Sequence, residues 1–276
     1  ARLEAALREL GPPPEPRPCA EAAGESDAAV FDAAFRRSRP LVVRGAASGM
    51  VGELARRAGG SFAALVRERY GDLASPVDVD AGGQRGFNRF DPVDEVREMA
   101  LGEFVAAVAA GDGALAIQQA ECDFAGDLGF ALPGFVRWAE PASDVHHSWL
   151  CGLNKTSHAH YDNDDGLLVQ VSGSKVVSLV DPRHFVQMRP TLAPHRFGSG
   201  EGAGGAASGL SALPSWHFSG ADRFPHELAS ECTLGPGDAL LIPALWWHRV
   251  DNVAVAAEDG LNVAFNWWFF TDRLVR

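Results

Sequence analysis

Long apolar runs are missing from this chain. None approaches the roughly 20 residues that a membrane-crossing helix needs, so no membrane partner is expected. Cysteine is scarce too: Cys19, Cys122, Cys151 and Cys232 are scattered through 276 residues with no CxxC pair among them. That scatter argues against a zinc site or a disulfide framework and makes a reducing cytoplasm the expected compartment. Positive charge is also short, with 24 Lys and Arg against 36 Asp and Glu and a formal net charge of −12. A surface built to hold nucleic-acid phosphates does not suit that balance, whereas a basic peptide partner does. Tyrosine occurs only at Tyr70 and Tyr161. The opening stretch ARLEAALRELGPPPEPRPC is broken by acids and prolines, so the uninterrupted apolar core of a secretory signal is not expected there.

What is present suits a globular chain. Hydrophobic residues make up 46% and charged residues 22%, enough for a sizeable core in one integrated catalytic domain. Residues 1–115 read as helices and a few strands packing on a barrel formed by residues 116–276. Helices are expected from Ser26 to Pro40, from Ser61 to Tyr70 and over LGEFVAAVAAG, with strands at LVVRG, VDVD and GFNRF. After LAIQQ the character changes to short strands separated by turns: GLLVQV, KVVSLV, ECTLGPGDALLIP, WWHRVDNV and LNVAFNWWFF. The stretch GSGEGAGGAASG at 198–209 reads as a flexible insertion. Helices first and an antiparallel barrel second give an α+β chain dominated by β.

The chemistry concentrates at His160-Tyr161-Asp162 together with His248. On an extended strand His160 and Asp162 point one way and Tyr161 the other. Two histidines and one carboxylate form the set that holds iron(II) on one face and leaves three positions open. Such a vacancy suits a chelating cosubstrate and dioxygen, and so an oxygenase. His158 makes a second pair, H-x-H with His160, so a metal site using His158, His160 and His248 stays open, although only Asp164 follows as an acid.

In GPGDALLIPALWWHRVDN the spacing of Gly237, Pro243, His248 and Asn252 resembles the second cupin motif, with Leu245 where that motif usually has a glycine. The segment TSHAHYDNDDGLLVQVSGSKVVSLVDP resembles the JmjC-type, cupin-like iron(II)/2-oxoglutarate hydroxylases, the protein asparaginyl hydroxylases among them. The resemblance covers most of residues 149–270. It implies a double-stranded β-helix, or jelly-roll barrel, with flanking N-terminal helices. It also implies Fe(II), 2-oxoglutarate as cosubstrate and dioxygen, with His160, Asp162 and His248 as metal ligands. Lys175 falls where the family places the base for the distal carboxylate of 2-oxoglutarate; on spacing alone, a solvated residue beside a turn is the favoured reading. Ser157, with Thr156 adjacent, falls where the family has a hydroxyl, and Asn266 where relatives place an amide near the cosubstrate. No upstream tyrosine matches the family's second carboxylate binder, so Gln118 is the substitute candidate. Gly166 stands where many relatives carry Asn.

A peptide or protein substrate, hydroxylated on a side chain, is what the resemblance implies, with Asp164 and Asp165 as local acids for a basic segment. A homodimer stays open. A small-molecule oxygenase, another metal-dependent cupin and a lysine demethylase are the alternatives.

Overall fold

The computed structural model of the chain describes residues 18–23, 28–59, 61–79, 86–87, 95–112, 115–120, 132–136, 147–152, 155–162, 164–189, 191–192, 216–217, 224–254 and 260–269. The expected insertion at 198–209 lies outside them. Among the described residues, four helices precede the strand that begins at His147: α1 (Ala28–Arg36), α2 (Ser48–Arg57), α3 (Phe62–Tyr70) and α4 (Leu101–Ala109). α3 starts where its cap allows, because the Ser61 hydroxyl accepts from the Ala64 N–H at 2.9 Å. α2 is not anticipated by the sequence, since SGMVGELARR carries two glycines, and its burial of Leu54 supplies what propensity withholds.

The strands are β1 (Glu21–Ala23), β2 (Leu41–Arg44), β3 (Ala74–Val79), β4 (Gly86–Phe87), β5 (Glu95–Ala100), β6 (Leu115–Ala120), β7 (His147–Cys151) and β8 (Thr156–His160). They continue with β9 (Asp165–Ser172), β10 (Ser174–Val180), β11 (Thr191–Leu192), β12 (Trp216–His217), β13 (Ser230–Leu234), β14 (Ala239–Ile242), β15 (Trp247–Ala254) and β16 (Asn262–Phe269). One sheet runs β1-β2-β14-β9-β16-β7-β6-β3-β5 and a second runs β13-β10-β15-β8-β4, with β11 and β12 as a separate pair. From β7 to β10, and again from β13 to β16, consecutive strands alternate between the two large sheets. That alternation winds a jelly roll, the expected double-stranded β-helix. Strands of the 1–115 segment join the same sheet, β2 against β14 and β3 against β6.

Period-two alternation gives each sheet an inner and an outer face. Val42, Leu168, Leu240 and Ala264 of the larger sheet meet Val177, Leu179, Cys232 and Leu234 of the smaller one inside the barrel. Val169, Leu241 and Phe265 face outward, where Phe31, Leu54, Leu65 and Phe104 of the helices complete the largest apolar cluster. Tyr161 and Trp247 pack edge-to-face at 4.9 Å on the outer side of the smaller sheet. Tyr161 therefore points away from the barrel interior.

The cysteines depart from expectation. Cys19, just before β1, is disulfide-bonded to Cys232 of β13, with Cα atoms 5.5 Å apart. β1 and β13 are edge strands of the two different sheets, so the bond staples the sheets together. A separation of 213 residues hides this pairing from any local reading, and the expectation of a cytoplasmic compartment loses the support it drew from unpaired thiols. Among the described residues no helix is long and apolar enough to cross a membrane.

Candidate metal centre

β8 and β15 lie side by side, and their register sets His160 opposite His248. Cross-strand partners share a face, so the two imidazoles meet with ring centroids 4.2 Å apart. Asp162, two residues on, returns to that face. One ligand atom from each of the three lies within 4.8 Å of the others. Both rings are locked in the same way: His160 Nδ1 lies 2.7 Å from the His158 carbonyl, and His248 Nδ1 lies 3.0 Å from the Trp246 carbonyl. A carbonyl can only accept, so each Nδ1 carries the proton and each Nε2 lone pair is free for a metal. Burial, and after it the electrostatic effect of the adjacent His160 ring, push His248 down to about 4, which keeps its ring neutral near pH 7. Asp162 Oδ2 accepts the Trp268 indole N–H at 3.1 Å and lies 3.7 Å from His248 Nε2.

The turn before β15 is tied to the same cluster. Leu245 donates its N–H to the Asp162 carbonyl at 2.8 Å. It does so with φ +68, the left-handed conformation that explains a glycine at this point of the motif. Leucine keeps the backbone path at a cost of about 1–2 kcal/mol. His158 is not in the cluster, so the H-x-H alternative is not the grouping formed among the described residues.

Register extends the argument inward from the metal row. Leu179 lies opposite His248, Val177 opposite Val250, and Lys175 opposite Asn252. Lys175 thus sits two side-chain rows below the candidate ligands, on the barrel side, and is buried. The solvated alternative does not hold. Desolvation lowers its pKa, and among the described residues no carboxylate pairs with it. A buried ammonium in that position suits an incoming anion.

The row between belongs to Ser157, which lies opposite Val250. A bulge in β8 between His160 and Ser157 sets this parity, and Thr156 lies opposite Asp251, its hydroxyl donating to that carboxylate at 2.5 Å. Asp251 is held by Arg249 on the outer face, so Thr156 points out of the barrel and Ser157 into it. Asn266 is buried on the inner face of β16, opposite Leu168. A Cβ built on Gly166 would stand 3.7 Å from Asn266 Oδ1, so a carboxamide does occupy this corner, delivered from β16 and not from position 166. Gln118 lies on β6, and its side chain is outside the described residues. Asp165 corrects another expectation. It is fully buried and accepts the Ala244 N–H at 2.9 Å, so it is no surface acid. Asp164 is raised to about 6 by burial, then by Asp162 and Asp165, so it loses its charge under mildly acidic conditions while staying mostly ionised at neutral pH.

The sequence alone assigned no role at this site to three residues, although Asn252 stands in the cupin-motif spacing. Trp268 shares the parity of Asn266, which was the available signal for its place beside Asp162. Its neighbours do other work, Trp247 and Trp267 filling cores and Trp246 donating to the Ser38 carbonyl at 2.9 Å. Trp149 packs on the inner cluster with its indole N–H buried and without an acceptor among the described residues. Asn252 faces Lys175. A two-histidine, one-carboxylate set with a buried cation two rows away on the barrel side fits iron(II) and a dicarboxylate together.

Comparison with known proteins agrees with this geometry. Residues 27–273 match the cupin-like domain family. Among curated proteins, the chain is 35% identical over 123 residues to the Lysine-specific demethylase JMJ31 of Arabidopsis thaliana, which is 44% of this chain and 20% of that protein. It is 32% identical over 151 residues to the tRNA wybutosine-synthesizing protein 5 of Mus musculus, covering 55% of this chain and 41% of the relative. The Homo sapiens protein of the same name is 33% identical over 144 residues, 51% of this chain and 38% of its own. The chain spans less than half the length of each of these relatives.

Proposed function

Because the chain belongs to the JmjC-type, cupin-like family, we propose that it is an iron(II)- and 2-oxoglutarate-dependent oxygenase that hydroxylates an amino-acid side chain of a peptide or protein. The observation that carries this reading is the buried Lys175 two rows below His160 and His248, because a cupin that uses no 2-oxoglutarate has no need of an ammonium there. Bound by His160, Asp162 and His248, iron(II) supplies the oxygen activation that couples decarboxylation of 2-oxoglutarate to oxidation of a C–H bond. The protein's own share is positional. The two Nδ1–carbonyl contacts aim the histidines, Trp268 orients Asp162, Ser157 and Lys175 line the path of the cosubstrate, and the apolar interior excludes water.

A net charge of −12 supports a basic peptide partner over a phosphate-rich one. The relatives named for lysine demethylation and for tRNA wybutosine synthesis define the competing outcomes. Purified protein is incubated with iron(II), 2-oxoglutarate and a peptide panel beside the corresponding free amino acids. Oxygen-dependent succinate formation with a one-oxygen mass gain on a peptide is the expected result. Formaldehyde release would instead mark demethylation, and a mass gain confined to free amino acids would mark a small-molecule oxygenase.

A further inference from the structure

Lys175 and Lys155 are the chain's two lysines, and both are buried, at 3% and 2% exposure. Asn252 lies between them, 6% exposed. Its backbone N–H and its side-chain Nδ2 both donate to the Lys155 carbonyl, each at 2.7 Å. That double hold decides which end of the carboxamide faces the other lysine. The nitrogen is committed, so Oδ1 is left to accept from Lys175 Nζ.

An amide oxygen carries a partial charge, not a whole one. It can fix an ammonium inside a dry barrel without cancelling it, whereas a carboxylate in the same place would form an ion pair and use the cation up. The neighbouring titratable group does not cancel it either, because burial pushes the Cys151 thiol up and keeps it neutral. We propose that Asn252 is a positioning residue for the cosubstrate: it presents the Lys175 ammonium to the second carboxylate of a 2-oxo dicarboxylic acid while leaving the charge of that ammonium uncancelled. The inference rests on the oxygenase reading above and extends it to selectivity. Asn252 favours a dicarboxylic over a monocarboxylic 2-oxo acid, and acts through Lys175 without touching the reacting atoms.

The test is equilibrium binding, without turnover. Manganese(II)-loaded protein, free of oxygen and peptide, is titrated with 2-oxoglutarate and with 2-oxobutanoate, which keeps the chelating end and lacks the second carboxylate. Asn252→Asp is expected to weaken 2-oxoglutarate binding on the order of a hundredfold, because a fixed carboxylate competes for the buried ammonium, and to leave 2-oxobutanoate unchanged. Asn252→Ala adds no charge and is expected to cost about tenfold or less, again for 2-oxoglutarate alone. Should Asn252→Asp fail to fold, the ratio of the two affinities in Asn252→Ala decides. Equal losses for both acids, or no loss for either, overturn the proposal and leave Asn252 a packing residue. Wild-type protein that binds 2-oxoglutarate no better than 2-oxobutanoate strikes the oxygenase reading itself, a result visible before any substitution is made.

Discussion

The two candidate histidine ligands owe their protonation to carbonyls two residues upstream, an arrangement that stands without any metal. Metal binding at such a site is not what holds the fold, since an open catalytic set is not a structural staple. His160→Ala and Asp162→Ala should therefore abolish iron binding and 2-oxoglutarate turnover while circular dichroism and melting temperature stay close to wild type; a variant that still binds iron tightly would count against the assignment. Trp268 makes a subtler case. Trp268→Phe keeps the ring and removes the N–H that holds Asp162 Oδ2, so iron affinity should fall about 10- to 100-fold. Unchanged affinity in a direct metal titration would show that the indole only fills space. Lys175→Met removes a buried charge of similar stem length, and its effect should appear as a steep rise in the 2-oxoglutarate concentration needed for half-maximal succinate formation.

Among the elements, the turn leading into β14 places the greatest demand on its sequence. Gly237 adopts φ +89, and a Cβ there would sit 2.6 Å from Ser48 Oγ and 3.0 Å from Ser48 Cα at the start of α2. Its carbonyl meanwhile accepts the Ala47 N–H at 2.8 Å, so helix and turn cannot simply part. Asp238 closes the turn, taking the Gly45 and Gly235 N–H groups at 3.0 Å each and the Arg44 guanidinium at 2.7 Å. Gly237→Ala combines left-handed strain with a clash against backbone, and a loss of about 2–4 kcal/mol in denaturant unfolding is expected. A loss below that of an ordinary surface substitution would mean that α2 shifts freely. The bulge in β8 is the other element with consequences, because it alone turns Ser157, and not Thr156, toward the cosubstrate path.

For the whole molecule, the question is what keeps the N-terminal arm on the barrel. β1 adds a three-residue parallel pairing to β2, and Arg44 pairs with Glu21, but that pair is largely exposed and contributes at most about 1 kcal/mol. The Cys19–Cys232 bond closes a loop of 213 residues across two sheets, and its removal should cost about 2–5 kcal/mol. The covalent link therefore dominates. Reducing agent should lower the melting temperature of the wild-type protein and leave Cys19→Ser unaffected; identical melting curves with and without reductant would remove the disulfide from the account.

Much of this protein is readable without coordinates, and the reason is local geometry. His160 and Asp162 share a face because a strand has period two, GLLVQV and KVVSLV form strands on either side of the turn at Gly173, and Ser61 caps α3 through a contact three residues away. The tertiary structure decided whatever depends on partners distant in sequence. α2 forms despite its glycines because a core receives Leu54, and Lys175 is buried because β13 and β15 flank it on both sides. Thr156 and Ser157 exchange faces through a bulge that no propensity encodes, and Cys19 meets Cys232 only once two sheets have closed. Period and capping act over a few residues and leave their mark in the order of the letters. Burial, register and cross-sheet pairing are properties of neighbours, and the chain acquires those neighbours only by folding.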